Sequence, residues 1–193
     1  MTLNSSASST VAQTSRTLKA AAASIKRSAQ DPLAIYLNDH LAGATGGLEL
    51  ARRVAGTGQV PAPPAQLRQF AEEVAEDRDT LLRIMGTLGI PVRSYKVWAA
   101  WAGEKAGRLK PNGRLTSRSP LSNLEELELL RLGVEGKAAG WRTLRTLADR
   151  DSRLEAGQLD ELISRAGRQA GFLEESRIRA AEQVIDAAGA GRG

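Results

Sequence analysis

The chain has 193 residues, 41% of them hydrophobic, with one histidine, no cysteine and a net charge of +5. That length supports one domain with a real core rather than two, and the missing cysteine excludes disulfides, thiolate nucleophiles, zinc fingers and iron-sulfur clusters. With no run of about 18 apolar residues and no secretory apolar stretch near its Ser- and Thr-rich start, the chain reads as soluble and cytoplasmic, without a transmembrane segment.

Residues 1–30 carry Arg16, Lys19, Lys26 and Arg27 against no acid, and too few large apolar residues to offset the entropy of ordering. A flexible basic tail is expected there. Val11, Leu18, Ala22 and Ile25 mark one face of a transient helix, suited to a docking peptide, a membrane-surface helix or a targeting peptide.

A four-helix bundle is expected over residues 31–187. Helix 1 opens at Asp31-Pro32, where the carboxylate caps free N–H groups and proline fits the first turn. Its stripe is Leu33, Leu37, His40 or Leu41, Ala44, Leu48 and Ala51, ending near Gly56. Within it, Ala42-Gly43-Ala44-Thr45-Gly46-Gly47 is costly, since each helical glycine loses about 1 kcal/mol against alanine. Close approach of a neighbouring helix, or a kink, would justify the run.

Helix 2 follows the turn Pro61-Ala62-Pro63-Pro64 and runs to about Leu88, with Phe70, Val74, Asp77, Leu81 and Ile84 at three-four spacing. Residues 89–119 then form a long crossover, expected to carry a short helix with Tyr95, Trp98 and Trp101 on one side, and the turn Lys110-Pro111-Asn112-Gly113. Residues 92–118 carry seven basic residues against Glu104 alone, so basic character concentrates outside a mildly acidic bundle. Lys96, Lys105, Arg108 and Lys110 beside Trp98 and Trp101 offer cations for phosphates and rings for bases, an anion or nucleic-acid contact. The plainer alternatives are a GC-rich coding bias, since arginine far outnumbers lysine, and a tryptophan pair that plugs a short helix onto the bundle.

Helix 3 opens at Ser119-Pro120 or at the Ser122/Glu125 capping box, and buries Leu127, Leu130, Val134, Lys137, Trp141, Leu144 and Ala148. Helix 4 opens near Ser152 and Glu155, or later because of Gly157. It continues through Leu159, Leu162, Ala166, Gln169, Leu173, Ala180 and Val184, leaving 188–193 as a short tail. No strand pattern competes, so the fold class is all-α. Short loops join helices 1–2 and 3–4 as antiparallel pairs, and the crossover lets helices 1 and 4 run one way and helices 2 and 3 the other.

His40, Asp77, Lys137 and Gln169 each interrupt an apolar stripe, and on this topology the first three fall at similar depth. Buried polar groups need partners, so a polar core layer is expected, with Asp77 pairing Lys137 while His40 and Gln169 complete the hydrogen bonds.

One hairpin, a long crossover and a second hairpin, together with the segment YLNDHLAGATGGLELARR at 36–53, resemble the ferritin-like fold over roughly residues 31–187. Catalytic members of that family hold two metals with a carboxylate on each of two helices and Glu-x-x-His on each of the others. The resemblance therefore raises an iron or manganese site, for which His40, Glu73 and Asp77 are the candidate ligands. It also raises a homo-oligomer, meeting through Gly43–Gly47 or the crossover. Yet the single histidine, in Leu37-Asn38-Asp39-His40, lacks the glutamate at the required spacing, and an ammonium in the layer repels a divalent cation. No metal or cofactor is expected.

Other chemistries are weaker. Asp39 points about 100° from His40 on a helix, so it cannot orient the ring for a Ser-His-Asp triad. The glycine runs lack the strand-loop-helix setting and the Lys-Ser/Thr ending of a phosphate loop. The expected role is a non-catalytic ferritin-like interaction or scaffold module. A metal or redox protein with a reduced ligand set, and nucleic-acid binding by the crossover, are the alternatives.

Overall fold

The computed structural model describes residues 31–93 and 120–190; the tail at 1–30, the crossover residues 94–119 and residues 191–193 lie outside the described residues. The expectations placed on Lys96, Trp98, Trp101, Lys105, Arg108 and Lys110 therefore fall outside them too. Four helices make up the described fold, α1 (Pro32–Thr57), α2 (Pro64–Thr87), α3 (Pro120–Ala148) and α4 (Ala156–Ala190), with no strand among the described residues.

Local chemistry sets the ends of the first hairpin. Asp31 accepts a hydrogen bond from the Leu33 amide at 3.0 Å and Pro32 occupies the first helical position, so α1 starts where the cap stands. It stops at Gly58, whose φ of 62° is strained for a residue with a β-carbon. α2 closes through a paired C-terminal motif: the Gly89 amide donates to the Gly86 carbonyl and the Ile90 amide to the Met85 carbonyl, with Gly89 at φ 70°. Ile90 and Met85 are both buried in the same cluster, the apolar contact that accompanies this cap. α4 starts at Ala156 and persists through Gly189 to Ala190, so the tail expected from 188 is helical at its beginning.

Contacts fix the directions. Tyr36 meets Thr143 and Arg53 meets Glu126, so α1 and α3 are antiparallel. Glu76 meets Arg165 while Leu88 meets Arg153, so α2 and α4 are antiparallel. Arg131 pairs with Glu174 and Arg145 with Asp160, which makes α3 and α4 antiparallel as well. Helices α1 and α4 thus run one way and α2 and α3 the other, with α2 and α3 facing each other diagonally across the core.

The core divides into two apolar clusters. One holds Leu48, Val54, Phe70, Val74, Leu130, Val134 and Leu173; the other holds Leu37, Leu41, Leu81, Ile84, Trp141, Leu144 and Leu162. On α2 the break between them falls at Asp77, and on α3 it falls just after Lys137, between Ala138 and Trp141. Of the two alternatives offered for Gly43–Gly47, a close helix approach is not found: a β-carbon at Gly43, Gly46 or Gly47 would meet nothing within 4 Å, and α1 is continuous through the run. These glycines leave room rather than bring backbones together.

Glycines in open helical positions carry a conformational cost with no packing return. Gly46→Ala in α1 and Gly167→Ala in α4 are each expected to stabilise the fold by about 0.5–1 kcal/mol, read from urea midpoints. A loss at either position would show that its open side is packed in solution.

Candidate functional site

Asp77 is 1% exposed, and both oxygens of its carboxylate are engaged. Lys137 Nζ donates to Oδ2 at 2.6 Å from α3, and Arg165 Nη1 donates to Oδ1 at 3.1 Å from α4. The second acceptor of Lys137 is Gln169 Oε1; the amide Nε2 of Gln169 then donates to Glu73 Oε2 at 2.9 Å. Glu73 Oε1 in turn accepts from Gln69 at 3.0 Å, and Arg165 also reaches Glu76 at 2.9 Å. A continuous polar network therefore links α2, α3 and α4, running from solvent through the core layer and out again. Burial pulls the Lys137 ammonium below the usual lysine range, and the Asp77 carboxylate opposes that pull.

His40 stands apart from this network. Its half-buried ring packs edge-on against Tyr36, with centroids 4.4 Å apart, and lies over the backbone of Gly140. A β-carbon at 140 would sit 3.1 Å from the ring, which explains a buried glycine there. Among the described contacts His40 bonds to none of Asp77, Lys137, Gln169 or Glu73, so the structure brings together three of the four residues read from the stripes. Burial lowers the His40 pKa below its ordinary value, while Asp39 partly raises it.

The ligand set His40, Glu73 and Asp77 does not suit a metal. Each oxygen of Asp77 already faces a cation, both oxygens of Glu73 accept amide N–H groups, and His40 lies on another helix without a bond to either. A divalent ion here would have to displace two fixed positive charges. No group of three or more metal-ligating side chains occurs among the described residues.

Beside the network a cavity of about 460 Å³ opens between α1, α2 and α3. Gly43 and Gly47 of α1 and Gly133, Gly136 and Gly140 of α3 form its rim, and Leu37, Phe70, Val74, Leu81, Val134 and Trp141 its apolar walls. His40, Asp77 and Lys137 also line it. Trp141 is buried there with an indole N–H that meets no acceptor among the described residues.

Sequence reasoning missed Arg165, which neighbours the stripe residue Ala166 on a half-exposed face. It also missed two asparagine clamps. Buried Asn38 accepts from the Arg93 amide at 2.8 Å and donates to the Pro91 carbonyl at 3.2 Å; buried Asn123 donates to the Gln59 carbonyl at 3.0 Å. Poor helix formers inside helices were the available signal. Comparison of the chain with protein-family models, curated proteins and solved structures finds no match, so fold and site are read from this geometry.

Removing one partner of a buried ion pair strands the other, whereas replacing both with apolar residues is close to neutral. Asp77→Leu is expected to cost about 3–5 kcal/mol, and Asp77→Leu with Lys137→Met to recover much of that loss in urea unfolding. Additive losses would show that the pair is not coupled in solution.

His40 supplies a pH prediction. Its folded pKa lies below the unfolded value of 6.5, so the unfolded chain binds more protons between the two. Its contribution is fully present above pH 6.5 and is lost as pH falls through the folded pKa. Wild type should lose stability on acidification from 6.5 before carboxylates titrate, and His40→Gln should flatten that slope; equal slopes would contradict it.

Proposed function

We propose that the chain is a non-catalytic ferritin-like bundle acting as an interaction or scaffold module, in which an ion and hydrogen-bond network fills the layer where catalytic relatives of that fold carry metal ligands. The helix directions support this reading, because two antiparallel hairpins with parallel diagonals match that fold's layout. The observation that carries it is the placement of Lys137 Nζ and Arg165 Nη1 on the two oxygens of buried Asp77. Fixed cations at that depth supply the charge balance a metal would otherwise supply.

Among the described residues no catalytic constellation accompanies the network. His40 has neither a carboxylate orienting its ring nor a nucleophile within hydrogen-bond reach among the described contacts, so acid-base chemistry lacks its second member. The shape of the described surface supports binding as the role. Its notable surface features are the glycine-rimmed cavity and exposed Leu132 and Ile185, which are 66% and 69% accessible. No described helix is long and apolar enough to cross a membrane.

Elemental analysis of protein purified without chelator tests the reading. Iron, manganese and zinc are expected well below one equivalent, and unchanged in His40→Ala. A stoichiometric metal that vanishes in His40→Ala or Asp77→Asn would replace this proposal with the metalloprotein alternative.

A further inference from the structure

At Gly43, Gly47, Gly133 and Gly136, on the rim of the cavity between α1, α2 and α3, a β-carbon would meet nothing within 4 Å. The opening is thus kept by residues that each cost a helix about 1 kcal/mol against alanine. The space of about 460 Å³ falls in the range of small-molecule sites, about 300–1,000 Å³. Its wall runs from Tyr36 to Gly47 on α1 and from Phe70 to Leu81 on α2, about 16 Å along either axis. We propose that the cavity binds a small, neutral, apolar molecule carrying a hydrogen-bond acceptor such as a carbonyl, with the acceptor at Lys137 and the apolar body along the walls.

The polar groups are placed for such a ligand. Leu37, Leu81 and Trp141 belong to the apolar cluster at one end of the hollow, Phe70, Val74 and Leu130 to the cluster at the other, and Asp77 and Lys137 line it between them. An ammonium has three N–H groups. Asp77 Oδ2 and Gln169 Oε1 take two from Lys137, and no acceptor for the third is found among the described contacts. One turn along the same side of α3, the buried indole N–H of Trp141 also lacks an acceptor among the described residues. Donors left unmatched at this depth are costly, and an acceptor on a ligand would answer the one at Lys137. The acceptors of the layer, by contrast, are engaged, since each oxygen of Asp77 already holds a cation.

Charge selects a neutral molecule. The ionised groups on the wall are Asp39 and Asp77 against Arg78 and Lys137, two of each sign. Lys137 is matched by Asp77, and Arg78 by Asp79 at 3.0 Å. A charged head group would leave water for a site with no spare counter-charge. Metal content reports on the charged layer and ligand binding on the hollow, so this inference and the scaffold reading can fail separately.

The probe is prodan, a neutral naphthyl ketone whose emission shifts to the blue in apolar surroundings, titrated into the full-length chain. Saturable binding at one site per chain with blue-shifted emission is expected. Anilinonaphthalene sulfonate, aromatic but anionic, and dimethylaminonaphthalene, which lacks the ketone, should each bind at least tenfold more weakly. Gly47→Leu with Gly136→Leu, placed on opposite rims where there is room, should weaken prodan at least tenfold while helix content and the urea midpoint are held or raised. Gly167→Leu on the exposed face of α4 should leave binding unchanged. No saturable binding, or binding that survives the paired leucine substitutions, would overturn the site. Equal or tighter binding of the sulfonate, or of the compound without the ketone, would overturn the ligand class. Loss of the prodan site as chain concentration rises would also overturn the proposal and give the hollow to a second copy.

Discussion

One buried carboxylate organises the bundle. Asp77 lies at the break between two apolar clusters, where an unpaired charge would be costly enough to unfold a domain of ordinary stability. Its two oxygens are answered from two different helices, Lys137 of α3 and Arg165 of α4. That division matters more than the strength of either bond. Sliding α3 or α4 by one turn, about 5.4 Å, would carry one cation out of reach and leave the carboxylate half satisfied. Apolar stripes alone tolerate such a slip far better, because leucine is replaced by leucine one turn along. The layer therefore contributes register, while the clusters above and below contribute the net favourable burial.

The same layer gives the metal-ligating residue types here partners within the protein. Glu73, Glu76 and Asp77 all lie on α2 within little more than one turn, a density of acid that invites a cation. Two cations are built into the protein, and Gln169 joins them through an amide whose oxygen faces the ammonium and whose nitrogen faces Glu73. Each oxygen of Asp77 and of Glu73 already accepts a hydrogen bond. Chemistry of the donor set is decided by these partners rather than by a count of carboxylates.

Much of this was legible in the sequence, for a definite reason. Asp77, Lys137 and Gln169 each occupy a position where the three-four spacing demands an apolar residue, and a polar residue there has to meet another. His40 was harder because it abuts Leu41, and the pattern of α1 does not say which of the two faces the core; Leu41 is buried, and His40 turns toward Gly140. Arg165 was hidden by its length. Its Cα lies beside the stripe, but a long side chain can swing a guanidinium inward as readily as outward. Asn38 and Asn123 stand out locally as poor helix formers inside helices, but the carbonyls they bond lie far away in sequence, so no local pattern could name their partners. The cavity depends on spacing between helices, although glycines on both α1 and α3 were its trace.

That leaves an asymmetry among the helices. Three of them share the charged network, and α1 does not; it contributes His40 to the neighbourhood but no hydrogen bond to the layer. Its ties to α3 are at the margins, through Tyr36 to Thr143 and Arg53 to Glu126, both with exposed members. Exposed ion pairs and hydroxyl contacts hold little, about 1 kcal/mol or less each. Between them glycines of both helices line the cavity, and the His40 ring of α1 lies over Gly140 of α3. A helix bound at its ends and spaced away at its middle is held mainly by its apolar seam with α2, where Leu37, Leu41, Leu48 and Val54 are buried. Rigidity set by Asp77 on one side of the molecule and open space on the other follow from one distribution of side chains: charge concentrated on α2, α3 and α4, and small residues concentrated where α1 meets α3. Any change in shape that opens the bundle would therefore begin at α1.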